Sequence, residues 1–86
     1  MKEQEIFSKL EGILKNPLGE AWIPENKEIK SDTEFRHDLG MDSLDVYEFV
    51  YDVEEEFGIS IPDEKANDFE TIKDCVEFIK KYPTNN

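Results

Sequence analysis

The chain is organised around DLGMDSL, residues 38–44, and around the helical pattern that continues from Asp45 to Phe57. Gly40 permits a turn, and either Asp42 or Ser43 can cap the helix that begins behind it. The first turn of a helix has unpaired backbone N–H groups and the positive end of the helix dipole, so it favours an anionic group. Ser43 therefore stands where a hydroxyl carrying a phosphate diester would be stabilised.

The surroundings of Ser43 do not favour catalysis. The Gly-x-Ser-x-Gly turn that presents a hydrolase nucleophile is absent from the sequence. His37 is the single histidine and is interpreted as a polar loop residue. Cys75 is the single cysteine and is interpreted as a small core residue of the last helix. Acid–base catalysis needs groups with shifted pKa values in a dry pocket, and the carboxylates here lie on a solvated helix face. We therefore predict that the protein is not an enzyme.

A bound metal is not indicated by the spacing of the acidic residues. An EF-hand loop counted from Asp38 needs a ligand at its third position, glycine at its sixth and glutamate at its twelfth. This chain has Gly40, Ser43 and Phe49 at those positions. A zinc site fails on the number of available ligands. Loose binding of divalent ions to the acidic face stays open.

The negative charge is concentrated near Ser43. The formal net charge is −12, and no lysine or arginine occurs between Arg36 and Lys65. Such a face is a poor partner for nucleic acid or an anionic membrane surface, and it would steer the approach of basic patches on other proteins. Charge runs also serve only to hydrate a surface, and that interpretation stays open. The ten acids of this interval are Asp38, Asp42, Asp45, Glu48, Asp52, Glu54, Glu55, Glu56, Asp63 and Glu64.

Length and composition predict one small domain that covers residues 1–86. No apolar run approaches the ~20 residues that a membrane-spanning helix needs, so we expect no membrane insertion. The first five residues lack the basic and then apolar plan of a signal peptide. A single cysteine excludes an internal disulfide framework, and the cytoplasm is the predicted location.

The first third of the chain predicts one helix and a long loop. The periodicity of apolar residues predicts a helix from Lys2 to Lys15, which Pro17 ends. The segment from Leu18 to Glu34 has no clear period and is predicted to be a loop. Trp22 and Ile23 are its expected apolar anchors.

Three further helices are predicted behind this loop. The second begins at Asp42 or Ser43 and ends at Phe57 before Gly58. A short third helix is expected from Asp63 to Asn67, and Thr71 is expected to cap the last helix. No strand pattern is present, so we predict an all-α fold: a small four-helix bundle with three longer helices and one short one.

The second helix has two apolar stripes. A narrow stripe, which consists of Leu44, Tyr47 and Tyr51, is flanked by acidic residues and is predicted to be a partner surface. The alternative is that the two tyrosines pack against the long loop with their hydroxyls in water. The wide stripe is assigned to the core: Val46, Phe49, Val50, Val53 and Phe57.

The segment from Asp38 to Asp45 is similar to the phosphopantetheine attachment motif of acyl carrier proteins. Glu48, the run EEEF at residues 54–57 and the run IPDE at residues 61–64 continue the pattern at the spacing of that family. The resemblance extends from about Phe35 to Ile79. It implies the same four-helix bundle, with the serine where the long loop meets the second helix.

The resemblance also implies a function. A phosphopantetheinyl transferase would move 4′-phosphopantetheine from coenzyme A to the Ser43 hydroxyl, and the thiol of this arm would carry acyl groups as thioesters. Gly40, Asp42 and Leu44 are the motif residues around the attachment point. Synthases, reductases and transferases with basic patches would dock on a monomeric carrier through Asp45, Glu48, Glu54 and Glu55. Tyr47 and Tyr51 stand where smaller or unbranched apolar residues are usual in that family, and the narrow stripe adds them to the predicted partner face.

In the resembled family a bound acyl chain lies between the second helix and the last two. Phe49 and Phe69 are larger than the aliphatic residues usual there, so short or medium chains are expected to fit better than long ones. General fatty acid synthesis and a specialised lipid, polyketide or amino-acyl pathway both stay open. So does the alternative of an unmodified interaction module. The matching lining residues are Phe35, Leu39, Val46, Phe49, Val53, Ala66, Phe69, Ile72 and Val76.

Overall fold

A computed structural model describes residues 2–15, 23 and 27–82. These residues form four helices: α1 (Glu3–Lys15), α2 (Ser43–Phe57), α3 (Asp63–Asp68) and α4 (Ile72–Lys81). Within the same ranges the only strand-like pairing is an isolated antiparallel bridge between Glu34 and Thr71. The predicted all-α bundle of three longer helices and one short one is confirmed. The predictions for Pro17 and Trp22 lie outside the described residues.

The first helix buries one apolar stripe. Ile6, Leu10 and Leu14 are completely buried, as their four-residue spacing predicts. The helix packs against α4 and α2. Its acidic first turn and the basic Lys15 in its last turn both complement the helix dipole.

The second helix has caps at both ends. The Asp42 side chain accepts a hydrogen bond from the Asp45 N–H (2.9 Å), and the Asp45 side chain accepts one from the Asp42 N–H (3.2 Å). This reciprocal pair is a capping box. At the other end Gly58 has φ +65°, and its N–H donates to the Glu54 carbonyl oxygen at 2.8 Å. Of the two residues that could cap this helix, the structure therefore uses Asp42.

The last two helices follow the predicted pattern. α3 ends one residue later than expected, and it buries Ala66. Thr71 caps α4 in a second capping box with Asp74. The inward face of α4 carries Cys75, whose thiol is fully buried. Burial, followed by the neighbouring charge of Asp74, raises the pKa of Cys75 to about 12, so the thiol is neutral. None of the helices in the described ranges is long and apolar enough to cross a membrane.

The segment before α2 is tied to the start of α4 by backbone hydrogen bonds. Phe35 N–H donates to the Glu70 carbonyl (2.9 Å), and Ile72 N–H donates to the Thr33 carbonyl (3.1 Å). The Phe35 ring is completely buried and lies 5.3 Å from the Phe49 ring, centroid to centroid. These contacts hold the turn that precedes Ser43 against the bundle.

Candidate functional site

A turn fixed by backbone hydrogen bonds leads the chain into α2. Asp38 N–H donates to the Glu34 carbonyl (3.1 Å), and the Asp38 carboxylate accepts from the Glu34 N–H (2.8 Å). Gly40 then takes a φ of +67°, a backbone angle that residues other than glycine adopt only at a cost in free energy. Met41 follows; its side chain is buried, and its N–H donates to the Phe35 carbonyl (3.0 Å). The turn is therefore anchored on both sides of Gly40.

Ser43 is the first residue of α2, and its side chain is exposed. Because Asp42 caps the helix, the Ser43 hydroxyl takes no part in capping, and it makes no hydrogen bond to any described residue. The capping bond uses the Asp45 N–H and leaves those of Ser43 and Leu44 at the open end of the helix. An accessible hydroxyl beside two such N–H groups fits a phosphodiester on its oxygen.

The narrow apolar stripe of α2 faces solvent. Leu44 is 66% exposed, Tyr51 is 64% exposed and Tyr47 is 38% exposed. The tyrosine hydroxyls make no hydrogen bond within the described part of the chain. Large exposed apolar side chains in a contiguous stripe are typical of interaction sites. Of the two readings of this stripe, the exposure therefore favours a partner surface over packing against the loop, most clearly for Tyr51.

The acidic residues around the stripe differ in their surroundings. Glu48 and Glu55 are exposed and form no ion pair with the other described residues. Glu54 is half-buried, and its carboxylate accepts a hydrogen bond from the Ile61 N–H at 2.6 Å. Burial, and secondarily the charge of Glu55, raises the pKa of Asp52. Thus the acids predicted as one docking set include at least one, Glu54, that holds the α2–α3 connection.

Metal ligands do not cluster in the described ranges: no group of three or more His, Cys, Asp or Glu side chains is placed to hold an ion. The acids of α2 instead spread along the helix: Glu48, Glu55 and Glu56 are exposed, and Asp45, Asp52 and Glu54 are half-buried. Such a set of charges can attract basic groups over long range.

The residues predicted to line an acyl cleft all belong to the packed interior. Eight of the nine are buried, and Leu39 is half-buried against them. Because protein interiors are close-packed, a chain entering among these side chains would have to displace their contacts. An open groove of about 520 Å³ lies elsewhere, between the start of α3 and α4, and shares only Phe69 with the predicted lining.

Two side-chain contacts in the α2–α3 connection were not predicted from the sequence. One is the Glu54–Ile61 hydrogen bond, and the other joins the Ser60 N–H to the Tyr82 hydroxyl oxygen (3.3 Å). No local signal marks Glu54, since it is one of three consecutive glutamates. Tyr82 is separated from its partner by 22 positions, so only the packed bundle reveals the contact.

Comparison with known proteins gives consistent results. Residues 6–79 match the model of a family described as "Phosphopantetheine attachment site". A protein of Treponema pallidum (strain Nichols) named acyl carrier protein is 50% identical over 80 residues, which cover 93% of this chain and 97% of that protein. One of the same name from Treponema denticola is 51% identical over 76 residues, 88% of this chain and 92% of that protein. The crystal structure of an acyl carrier protein from Thermotoga maritima superposes with a TM-score of 0.77 at 26% identity, covering 94% of this chain and 89% of that one.

Proposed function

The chain belongs to the family of phosphopantetheine-binding acyl carrier proteins, and from this membership we propose that Ser43 bears the 4′-phosphopantetheine arm. The protein carries acyl groups and is not itself an enzyme. When bound, the arm supplies the thiol that holds the acyl group as a thioester. The observation that carries the assignment is the place of Ser43 at the start of α2, inside the matched attachment-site region, with an accessible hydroxyl that makes no hydrogen bond to any described residue.

Neighbouring residues support the attachment in different ways. Asp42 caps α2 and so leaves the Ser43 oxygen free to react. The N–H groups of Ser43 and Leu44 lie where they can donate to the phosphate oxygens, and the helix dipole stabilises the same negative charge. Gly40, with its positive φ, allows the preceding turn to present the serine outward.

Mass spectrometry of the intact protein tests the attachment. Incubation of the unmodified protein with coenzyme A and a broad-specificity phosphopantetheinyl transferase should add one phosphopantetheine. Ser43→Ala should abolish the addition, and the matched change Ser8→Ala, at an exposed serine of α1, should not affect it. Both variants should have melting temperatures close to that of the parent protein. The Ser43 hydroxyl makes no hydrogen bond within the described ranges, and Ser8 is exposed.

Failure of the parent protein to gain mass, with a control carrier labelled in the same tube, would contradict the assignment of Ser43. The alternative, an unmodified module that binds partners through its acidic helix, would then be favoured. Labelling that persists in Ser43→Ala would place the arm on another serine.

The protein interacts with a phosphopantetheinyl transferase and with acyl-processing enzymes, as its family requires. We propose that these partners dock on the exposed stripe of Leu44, Tyr47 and Tyr51. The stripe supplies apolar contact, and the acids beside it attract basic patches. In this proposal Glu48 and Glu55 face the partner directly. The carboxylates of Asp45 and Glu54 lie beside the same surface and also accept hydrogen bonds within the fold, from the N–H groups of Asp42 and Ile61.

We further propose that the chain is one carrier domain, monomeric and cytoplasmic. Its four helices share one hydrophobic core, and the family match spans all of them. A high net negative charge disfavours self-association. The single cysteine is buried and neutral, as suits a reducing compartment. Sedimentation of the pure protein at several concentrations tests the monomer.

A further inference from the structure

The groove between α3 and α4 has an aromatic wall. Ring centroids of Phe69 and Phe78 are 5.9 Å apart in an edge-to-face arrangement, and those of Phe78 and Tyr82 are 6.0 Å apart. The groove's volume of about 520 Å³ falls in the range of small-molecule sites, which is about 300–1,000 Å³. This wall therefore offers a continuous apolar surface of suitable size.

The groove lining carries two lysines and two acids, so its formal charge is balanced in a chain of net charge −12. Lys65 and Lys81 line it, and neither forms an ion pair with any described residue. Two acids also line it, but the Asp74 carboxylate already accepts the N–H groups of Glu70 and Thr71, at 2.9 and 3.0 Å. In a chain of net charge −12, this groove combines two available ammonium groups with Glu77 as the one acid not engaged in capping.

The α3 side of the groove is held in place before any ligand arrives. Ser60 N–H donates to the Tyr82 hydroxyl oxygen, and Ile61 N–H donates to the Glu54 carboxylate. A preformed wall lowers the ordering cost of binding. The Tyr82 O–H is itself still able to donate to a ligand, since it accepts rather than donates in this contact.

We propose that this groove binds a small amphipathic carboxylate. The apolar body lies on the aromatic wall of Phe69, Phe78 and Tyr82, and the carboxylate is held by Lys65 and Lys81. A carboxylate, rather than an acyl chain on the arm, is the suitable ligand because a thioester has no negative charge for the lysines. The site is separate from Ser43, and its existence does not depend on attachment there.

The test is an NMR titration of the Ser43→Ala protein, which cannot carry an arm at that position. The probes are octanoate, octanol and octylammonium, all below the concentrations at which they form micelles. Octanoate should shift the amide signals of Ser60, Phe78 and Tyr82 in a saturable way. Octanol should bind at least about threefold more weakly and octylammonium more weakly still, because exposed charge pairs contribute factors of roughly two to five.

Variants distinguish recognition of the carboxylate charge from non-specific hydrophobic binding. Lys65→Gln and Lys81→Gln should each weaken octanoate binding roughly two- to fivefold, and Glu77→Gln should strengthen it. Lys73→Gln, at an exposed lysine of α4 outside the groove lining, should leave binding unchanged. Equal binding of octanoate and octanol, equal effects of all three lysine changes, or shifts centred on the core residues Val46 and Phe49 would overturn the proposal. So would the absence of saturable shifts.

Discussion

At the scale of single residues, Asp42 and Ser43 have different roles at the start of α2. Asp42 accepts the Asp45 N–H and completes a capping box, while Ser43 one position later keeps an unbonded hydroxyl within the described structure. If Ser43 were the cap, its oxygen would be turned toward the helix and engaged. If Ser43 is the attachment residue, as we propose, this division of roles allows its modification without loss of the helix cap.

Glu54 is the residue whose role changes most between sequence and structure. Removing its carboxylate in Glu54→Ala leaves the N–H of the buried residue Ile61 without its partner, 2.6 Å away in the native fold. We expect a loss of about 1–3 kcal/mol in the free energy of unfolding. The matched change Glu55→Ala, at an exposed neighbour, should cost less than about 0.5 kcal/mol. Urea denaturation measures both, and equal losses would contradict a structural role for Glu54.

Burial of Cys75 makes a pH-dependent prediction. Burial raises the pKa of Cys75 from its ordinary value of 9.0 to about 12 in the fold. The unfolded chain therefore loses this proton first, and the contribution of the neutral thiol to stability is present below pH 9 and is lost as the pH rises toward 12. At pH 8 a thiol reagent should label Cys75 slowly in the native protein and rapidly in urea.

An accessible thiol provides the control for that labelling. Ser8→Cys, made in a Cys75→Ala background, places a cysteine at an exposed position of α1 and should react quickly without denaturant. If native Cys75 reacted as fast as this control, the last helix would open far more readily than its buried face indicates.

At the scale of elements, α2 combines an apolar stripe with Glu48 and Glu55, two exposed acids that form no ion pair with the described residues. Glu48→Lys should slow association with a cognate acyl-processing enzyme several-fold at low salt, and the difference should shrink at high salt as the charges are screened. The stability of the fold should hardly change, because Glu48 is exposed and unpaired among the described residues. Stopped-flow association at several ionic strengths is the measurement.

The choice of residue for this reversal follows from the structure. Glu54→Lys would also disturb the α2–α3 connection, so a slower association there would have two explanations. Glu5→Lys provides the control, since Glu5 is an exposed acid of α1 away from the stripe. Equal slowing by Glu5→Lys and Glu48→Lys would mean that partners respond to net charge and not to the face of α2.

At the scale of the whole molecule, we expect the packing of the interior to limit the length of the acyl chain. Phe35 and Phe49 pack ring against ring at the centre, and Phe69 is buried nearby. A chain gains ~0.8 kcal/mol for each methylene it buries, but opening a close-packed core loses existing contacts. For chains linked to Ser43, we expect the melting temperature to rise over short lengths and then to level off.

A smaller side chain should move that limit. Phe49→Leu is expected to extend the chain length at which the gain levels off, even though the variant itself is less stable, since deleting buried carbon atoms leaves space. Calorimetry over a series of chain lengths compares the two proteins. A melting temperature that keeps climbing to long chains in the parent protein would show that the phenylalanines do not restrict the interior.

Much of the bundle and the position of the candidate attachment serine could be predicted from the sequence, because these features depend on residues close together in the chain. The spacing of Ile6, Leu10 and Leu14 defines the buried face of α1, Gly58 marks the end of α2, and Thr71 marks the start of α4. Periodicity, capping and glycine conformation act over one helical turn. The motif around Ser43 is local in the same sense, and it identifies the family.

What required the folded molecule depends on contacts between different elements, which reach beyond one helical turn. Glu54 acquires its structural role only because Ile61 folds back over the end of α2, and Tyr82 meets Ser60 only when α4 packs beside the α2–α3 connection. The groove of Phe69, Phe78 and Tyr82 exists for the same reason. Three consecutive glutamates are equivalent in sequence. On a helix they point in different directions, and the surface against which each one lies is set by packing alone.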